Sequence, residues 1–454
     1  MKNNRNNTNH KNYIIMLGCT HGTLFKTTVA GGSYQEGLSI NIQGVPPGYY
    51  FTEEEIYVEL MLRKPGQGEL TSPRREADVP IIYSGVNAAD TMPGFKNKGY
   101  TNGTPLVILI PNVDRHFEHI EQYQLTNRTP RPGHASYASY RKYGEFDDAV
   151  GAGFFSGRYT STIVAAGTIA KKILKDHGIE VVSFVREAAG IRMGEMPVDV
   201  IKKKAAAYRE VRKQYDPIYL ELFASDKFKT GMRFFEKAAI LADLEKRIPE
   251  IKKPVYNETE IKEKYGINPK IFCPDADLAD AMHDEIVHIM KSGDSSGGIV
   301  EVVVTGVPAG MGEPVFNKLD GELGKLMSIG TIKAVEVGCG LEAANMTGSQ
   351  CNDTMHIENG KVVFDSNNAG GITGGLTTGQ DIIARVAVKP TPTIAKPQHT
   401  VDKVSLEDKE LAAVTRRDPT IVARVWPVVE AQTALIILDN YMQHVAYQTM
   451  KPKK

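Results

Sequence analysis

Arg131-Pro132-Gly133-His134-Ala135, then Lys142-Tyr143-Gly144 and Phe155-Ser156-Gly157-Arg158, lead into the run Thr160-Ser161-Thr162-Ile163-Val164-Ala165-Ala166-Gly167-Thr168-Ile169-Ala170-Lys171-Lys172-Ile173-Leu174-Lys175-Asp176-His177. In that run Ile163, Val164, Ala166, Ile169, Ala170, Ile173 and Leu174 fall at helical spacing, which predicts a helix from Thr160 to His177. From Gly22 to about Gly190, short β-like runs such as Leu38–Ile42 and Leu106–Ile110 alternate with turn clusters such as Val45-Pro46-Pro47-Gly48. From about Val198 to Lys262 the composition shifts to Lys, Glu, Ala and aromatics, with Phe234, Phe235, Ala238, Ile240, Leu241 and Leu244 at helical spacing. This reads as an inserted helical segment. After Phe272, strand-like runs return at Ile299–Thr305 and Ala334–Val337 between glycine-rich loops, and a helix over Trp426–Tyr441 closes the ordered part.

A chain of 454 residues is long enough for a large hydrophobic core, and 41% hydrophobic with 24% charged residues argues against disorder over most of its length. Lys plus Arg equals Asp plus Glu, 54 each, so no global field draws nucleic acid or an anionic membrane. An anionic ligand must then be met by local Arg and Lys clusters, and a small-molecule site is expected. Cys19, Cys273, Cys339 and Cys351 form no CxxC pair and have no nearby His at metal spacing, a pattern that fits a reduced cytoplasm. The apolar run Tyr13–Leu17 is too short for the core of a signal peptide. No stretch reaches the roughly 18 apolar residues of a membrane span. The expectation is a cytoplasmic protein.

Lys64, Arg74 and Arg75 flank Pro65-Gly66 and Thr71-Ser72-Pro73. Alone, they would read as a solvated basic loop. Arg131-Pro132-Gly133-His134, Arg158 and Arg416-Arg417-Asp418-Pro419 also put Arg, His and Asp on tight turns, where cations meet phosphate or carboxylate oxygens. Asn367-Asn368-Ala369-Gly370-Gly371-Ile372-Thr373-Gly374-Gly375 is a dense glycine loop whose backbone amides are candidates to cradle a phosphate or the polar edge of a cofactor. Gly151-Ala152-Gly153 has the wrong spacing for GxGxxG, so a dinucleotide fold is not expected.

In order along the chain, these pieces resemble the chorismate synthase family from about Gly22 to Tyr441. Gly22-Thr23-Leu24-Phe25 and Gly44-Val45-Pro46-Pro47-Gly48 are similar to its opening, and the segments around His134 and Arg158 to its central signature. Gly306-Val307-Pro308-Ala309-Gly310, Gly312-Glu313-Pro314-Val315-Phe316, the glycine loop, Lys389-Pro390-Thr391-Pro392-Thr393 and Arg416-Arg417-Asp418-Pro419 follow in the family's order. The resemblance implies an α+β sandwich of sheets and helices with a helical insertion, built as an N-terminal extension (1–21) and one domain (22–450) interrupted near 198–262. It also implies a lyase of the shikimate pathway, in aromatic amino acid biosynthesis. Such an enzyme would be a homotetramer binding reduced FMN and converting 5-enolpyruvylshikimate 3-phosphate to chorismate. Position by position, His134, Asp418 and Tyr34 take the catalytic places. Ser33, Arg63, Arg131, Arg158 and Arg416 take the substrate places, and Gly370, Gly371, Gly374, Lys389 and Thr393 the cofactor places.

The chain departs from the pattern where the phosphate is expected. The family pentad Gly-Glu-Ser-His-Gly aligns with Gly31-Gly32-Ser33-Tyr34-Gln35, so the imidazole credited with protonating the leaving phosphate is a phenol here. Gly18-Cys19-Thr20-His21-Gly22 imitates the pentad but lies upstream of the opening motif, so His21 is expected to be a decoy. Glu69 stands where a basic residue is common, Val150 and Phe154 where Arg or His is common, and Ser136 where Asp follows His-Ala. A catalytically impaired flavin-binding paralogue is therefore the alternative expectation. Restoring His at position 34 is expected to raise phosphate release, and adding Glu69→Arg to raise it further.

Overall fold

The computed structural model describes residues 18–452 apart from 67, 72–75, 88–96, 113–127, 149, 216, 226–227, 230–231, 249–254 and 413–417. Alternating buried and partly exposed side chains form Thr20–His21 (β1), Lys26–Gly31 (β2), Gly37–Gln43 (β3), Ile81–Ser84 (β4) and Leu106–Pro111 (β5). They pair antiparallel in the order β1-β2-β3-β5-β4. Leu38, Ile40 and Ile42 of β3 and Leu106, Ile108 and Ile110 of β5 point to one face, which is the core face.

A second five-stranded antiparallel sheet contains Glu180–Ala188 (β6), Ile191–Arg192 (β7), Gly298–Thr305 (β8) and Ile332–Val337 (β9). Two hairpins follow β9: Met355–Glu358 (β10) with Lys361–Phe364 (β11), and Ile372–Thr373 (β12) with Leu376–Thr377 (β13). Ile382–Val388 (β14) then enters between β8 and β9, completing the order β7-β6-β8-β14-β9. Gln398–Val401 (β15) and Asp408–Leu411 (β16) form a last hairpin.

Helices fill the space between the sheets. Glu53–Arg63 (α1) starts at Thr52, whose hydroxyl caps the Glu55 amide while Glu55 returns the bond, and it stops just before Lys64-Pro65. After Ser136–Tyr143 (α2), the sequence-predicted helix forms over Thr160–Asp176 (α3) and lies against β3 and β5 of one sheet and β6 of the other. The final helix, Val422–Thr449 (α9), lies along α3. A Cβ on Gly167 would come within 2.3 Å of the Ala431 Cβ, so glycine is what allows α3 and α9 to touch backbone to side chain. The sequence placed only Trp426–Tyr441 in this helix. It extends further at both ends, over Val422–Val425 and Met442–Thr449, the latter carrying no apolar stripe, and Pro427 stands inside it.

The segment 198–262 is helical as its pattern predicted, with Val198–Tyr215 (α4), Pro217–Ala224 (α5), Phe234–Arg247 (α6) and Glu258–Tyr265 (α7); Ala276–Lys291 (α8) follows it. Tyr219, Phe228, Leu241 and Leu244 from this segment bury Tyr57, Met61, Ala77, Val79 and Ile81 in a second, smaller core. Arg209 of α4 binds Glu59 at 2.9 Å and Glu430 at 2.5 Å, and Lys171 of α3 binds the same two carboxylates at 2.7 Å. These contacts set the segment into the protein rather than on its surface.

Candidate active site

Two groups of predicted site residues assemble, joined by an arginine. The first gathers around His134. The turn before α2 is fixed by the Arg131 amide donating to the Ser136 hydroxyl at 3.0 Å. Arg131 then reaches Thr393 at 3.5 Å and the His134 Nε2 at 3.5 Å. Lys389, just past β14, donates to the Gly133 carbonyl. Gly133 has φ 71° and a Cβ there would lie 3.3 Å from Pro392, so the turn and the 389–393 segment approach closely only with glycine at this place. Thus Arg131, His134, Lys389 and Thr393, remote in sequence, share one site.

Burial, then the charges of Arg131 and Lys389, push the His134 imidazole down to about 4, so it is neutral near pH 7. Its Nδ1 is buried and finds no hydrogen-bond partner among the described residues. Burial and the neighbouring Lys333 hold Lys389 below the usual lysine range. The orphan Nδ1 on one side of the ring, with Arg131 at Nε2 and Lys389 on the neighbouring Gly133 carbonyl, suits a hydrogen-bonding and anionic ligand edge.

The second group surrounds the turn after β2. Asp78, fully buried, accepts from Arg63 at 2.5 Å and from Arg158. Glu76 lies 3.2 Å from Arg158 and 4.0 Å from Arg63. Burial would raise the Asp78 carboxyl, but the Arg63 and Arg158 charges prevail and hold it below the usual carboxylate range. Arg158 Nε donates to Asn112 at 2.9 Å, and Asn112 in turn donates to the carbonyls of Gly32, Ser33 and Gln35 at 2.9, 3.2 and 2.8 Å. Ser156 donates to the Ser33 hydroxyl at 3.4 Å. Tyr34 sits half-buried on this turn. Arg63 and Arg158 are therefore buried supports of the turn, their charges shared with Asp78 and Glu76.

Arg424 joins the groups. Its Nε donates to the Arg63 carbonyl at 2.9 Å and its NH1 lies 3.1 Å from Asp418, whose own carbonyl accepts from Thr391 at 2.7 Å. Sequence reasoning missed Arg424, Asn112 and Asp78, which stand outside every turn motif. Arg416, with Arg74 and Arg75, lies outside the described residues, as does most of the Asn87–Tyr100 insertion.

The glycine loop differs from the expected amide cradle. The amides of Asn368 and Ala369 donate to Asp353 at 2.6 and 2.9 Å, and those of Gly370 and Gly371 to the Asn367 carbonyl and side chain at 3.1 and 2.7 Å. Gly370 packs on Gly338 and Gly371 on Asp381, both with positive φ, while Gly374 and Gly375 turn the β12–β13 hairpin. Gly370 and Gly371 meet the first residues of β14 and Lys389 follows its last, roughly 20 Å apart at strand rise. Within one chain these glycines and Lys389 do not share a site. His21 pairs with Thr27 at the start of β2, whereas Tyr34 follows its end, so the upstream imitation of the pentad lies a strand's length away. Glu69 lies 2.8 Å from His283 Nε2 and 3.4 Å from Lys270, so its charge is matched locally.

Two antiparallel sheets around a helical layer, with a histidine set beside an arginine and a lysine, make this an α+β protein with a cationic candidate site. The chorismate synthase family model matches residues 25–442. Chorismate synthase of Acetivibrio thermocellus is 37% identical over 441 residues, covering 93% of this chain and 94% of that protein. Chorismate synthase of Methanosarcina mazei is 38% identical over 429 residues, covering 94% and 97%. A crystal structure of chorismate synthase superposes with a TM-score of 0.58 at 25% identity and covers 93% of both chains. The chain belongs to the chorismate synthase family. Among the described residues no helix is long and apolar enough to cross a membrane.

Proposed function

We propose that this protein is a chorismate synthase, a lyase that converts 5-enolpyruvylshikimate 3-phosphate to chorismate and phosphate with reduced FMN. The observation that carries the reading is the convergence of Arg131, His134, Lys389 and Thr393, with the His134 Nδ1 buried and unsatisfied. Thr393 and Lys389 would hold the flavin, which when bound supplies an electron transiently to the substrate ring. Neutral His134 offers one ring nitrogen to that ligand while the other faces Arg131, so it can pass a proton without carrying a fixed charge. Arg131 is placed to bind a substrate carboxylate, and Asp418 is oriented by Arg424 as its carbonyl anchors Thr391. We place the protein in the cytoplasm as a homotetramer.

A second reading is favoured by one feature: Arg63 and Arg158 share their charge with Asp78 and Glu76 beside a tyrosine instead of a histidine. It makes the chain a flavin-binding paralogue with impaired catalysis and a binding or regulatory role. Anaerobic phosphate release from 5-enolpyruvylshikimate 3-phosphate with chemically reduced FMN separates the two. Release supports the enzyme, and flavin binding without release supports the paralogue. Failure to bind FMN in either redox state, with substrate present, overturns both.

A further inference from the structure

Two side chains of the family pentad are missing from the turn after β2, the glutamate at Gly32 and the histidine at Tyr34. The space beside Gly32 is filled from another part of the chain. A Cβ on Gly32 would lie 3.1 Å from Asp148 Oδ2, and Gln35 Nε2 donates to that same oxygen at 3.5 Å. Gly153, with φ 49°, lets the backbone fold back on Asp148, since a Cβ there would lie 1.9 Å from the Asp148 carbonyl. The segment from Asp148 to Ser156 thus faces Gly32–Gln35 at two points, the carboxylate at one and the Ser156–Ser33 contact at the other.

We propose that Asp148 is the proton donor to the leaving phosphate, in place of the imidazole absent from position 34; this rests on the chorismate synthase reading above. The groups around it are Gln35 on the turn, Asp147 beside it, Lys403 beyond Asp147, and Arg158 behind Asn112 with its charge engaged by Asp78 and Glu76. No ion pair involves Asp148 among the described residues. Burial and the Asp147 charge raise its carboxyl above the ordinary aspartate value, partly offset by Gln35. A phosphate dianion arriving at this carboxylate raises it further, so the ligand binds with Asp148 protonated. As the ring C–O bond breaks, its electron pair goes to the bridging oxygen, and the electrons of the ring C–H bond lost in the same 1,4 elimination, its hydrogen leaving as a proton, complete the new diene. The Asp148 proton goes to the phosphate, leaving a carboxylate that its exposure allows water to reprotonate.

The test measures binding of 5-enolpyruvylshikimate 3-phosphate by calorimetry near pH 7 in buffers of different ionisation enthalpy, and phosphate release with reduced FMN. The wild type is expected to take up about one proton on binding, as a group driven to its protonated form must. Asp148→Asn should take up none and lose about 10²-fold or more in kcat without a rise in KM, and Asp148→Glu should recover part of the rate. Tyr34→Phe should lose far less than Asp148→Asn and still take up the proton on binding, because the phenol is not the donor. Asp148→Asn with wild-type rate and proton uptake overturns the proposal and leaves the enzyme reading standing. Binding without any release by the wild type overturns the enzyme reading and the donor role together, while the proton uptake still reports whether Asp148 meets the phosphate.

Discussion

Lys237 of α6 and Glu53 at the start of α1 form an ion pair in which the two side chains are 0% and 2% exposed. Glu53 also accepts from the Ile82 amide at 3.3 Å, so one carboxylate of α1 holds both α6 and β4. Replacing Lys237 with Met leaves that carboxylate buried without its counter-charge, a change that costs about 3–5 kcal/mol. Denaturant unfolding should show a loss of that size in Lys237→Met. Adding Glu53→Gln should return most of it, because the remaining group is neutral and keeps its backbone donor.

Acid should weaken the junction between α4 and the core. Burial would raise the Glu59 carboxyl, but Arg209 and Lys171 outweigh it and hold it at about 2, below the ordinary 4.5. A depressed carboxyl contributes stability that is fully present above its unfolded value and is lost as pH falls through its folded value. The window is therefore from about pH 4.5 down to 2, and the contribution is at most about 3 kcal/mol. Unfolding free energies measured across that range should fall more steeply for wild type than for Glu59→Gln.

The two histidines that compete in the sequence should behave oppositely. His134→Ala should lower phosphate release by about 10²- to 10⁴-fold, and His21→Ala should leave it unchanged. Ring-proton NMR should show His134 titrating near 4, and Arg131→Ala should move it back toward 6.5. The folded value lies below the unfolded one, so the neutral ring contributes stability above about 6.5 that disappears as pH falls through about 4. Equal, large losses of activity in both variants would mean that His21 had been recruited.

Tyr34→His should raise phosphate release near neutral pH, because it adds a second, well matched proton donor beside the one proposed at Asp148. Glu69→Arg should add nothing to that gain, contrary to the expectation from sequence. Its guanidinium would face Lys270 and His283, which now match the carboxylate, and the variant should unfold at lower denaturant than wild type. A larger gain in the double variant than in Tyr34→His alone would show that Glu69 faces substrate after all.

Local periodicity is what made parts of this fold legible. β3, β5 and α6 each bury one face of a regular element, so their apolar residues repeat at the period of that element, whereas β8, buried on both faces, reads as a continuous apolar run and α3 keeps the helical period only in its large side chains, small and hydroxyl residues being buried around them. Through most of its length α9 is buried on all sides, and its stripe vanishes; the buried Glu430 and Asp439 there look like surface residues until their partners are known. The cationic turns pointed to Arg131 and His134, and the family resemblance to Lys389, but neither to the pairing of Arg63 and Arg158 with Asp78. Nothing near Asp148 in sequence announces that its carboxylate fills the space beside Gly32. Such contacts join distant segments and leave no mark at the period of a strand or helix.

Asp439 accepts the backbone amides of Thr23, Leu24 and Phe25 at 2.7 to 3.0 Å, across 414 to 416 residues of chain. During synthesis those amides leave the ribosome long before their acceptor exists. At about 5–20 residues per second, the opening segment waits tens of seconds for the helix that holds it. The entry to β2 is therefore seated only when translation is nearly complete. A chain halted before Asp439 keeps β2, β3 and β5 but lacks the carboxylate that seats their entry, a state exposed to proteolysis and to pairing with other chains at the open edge.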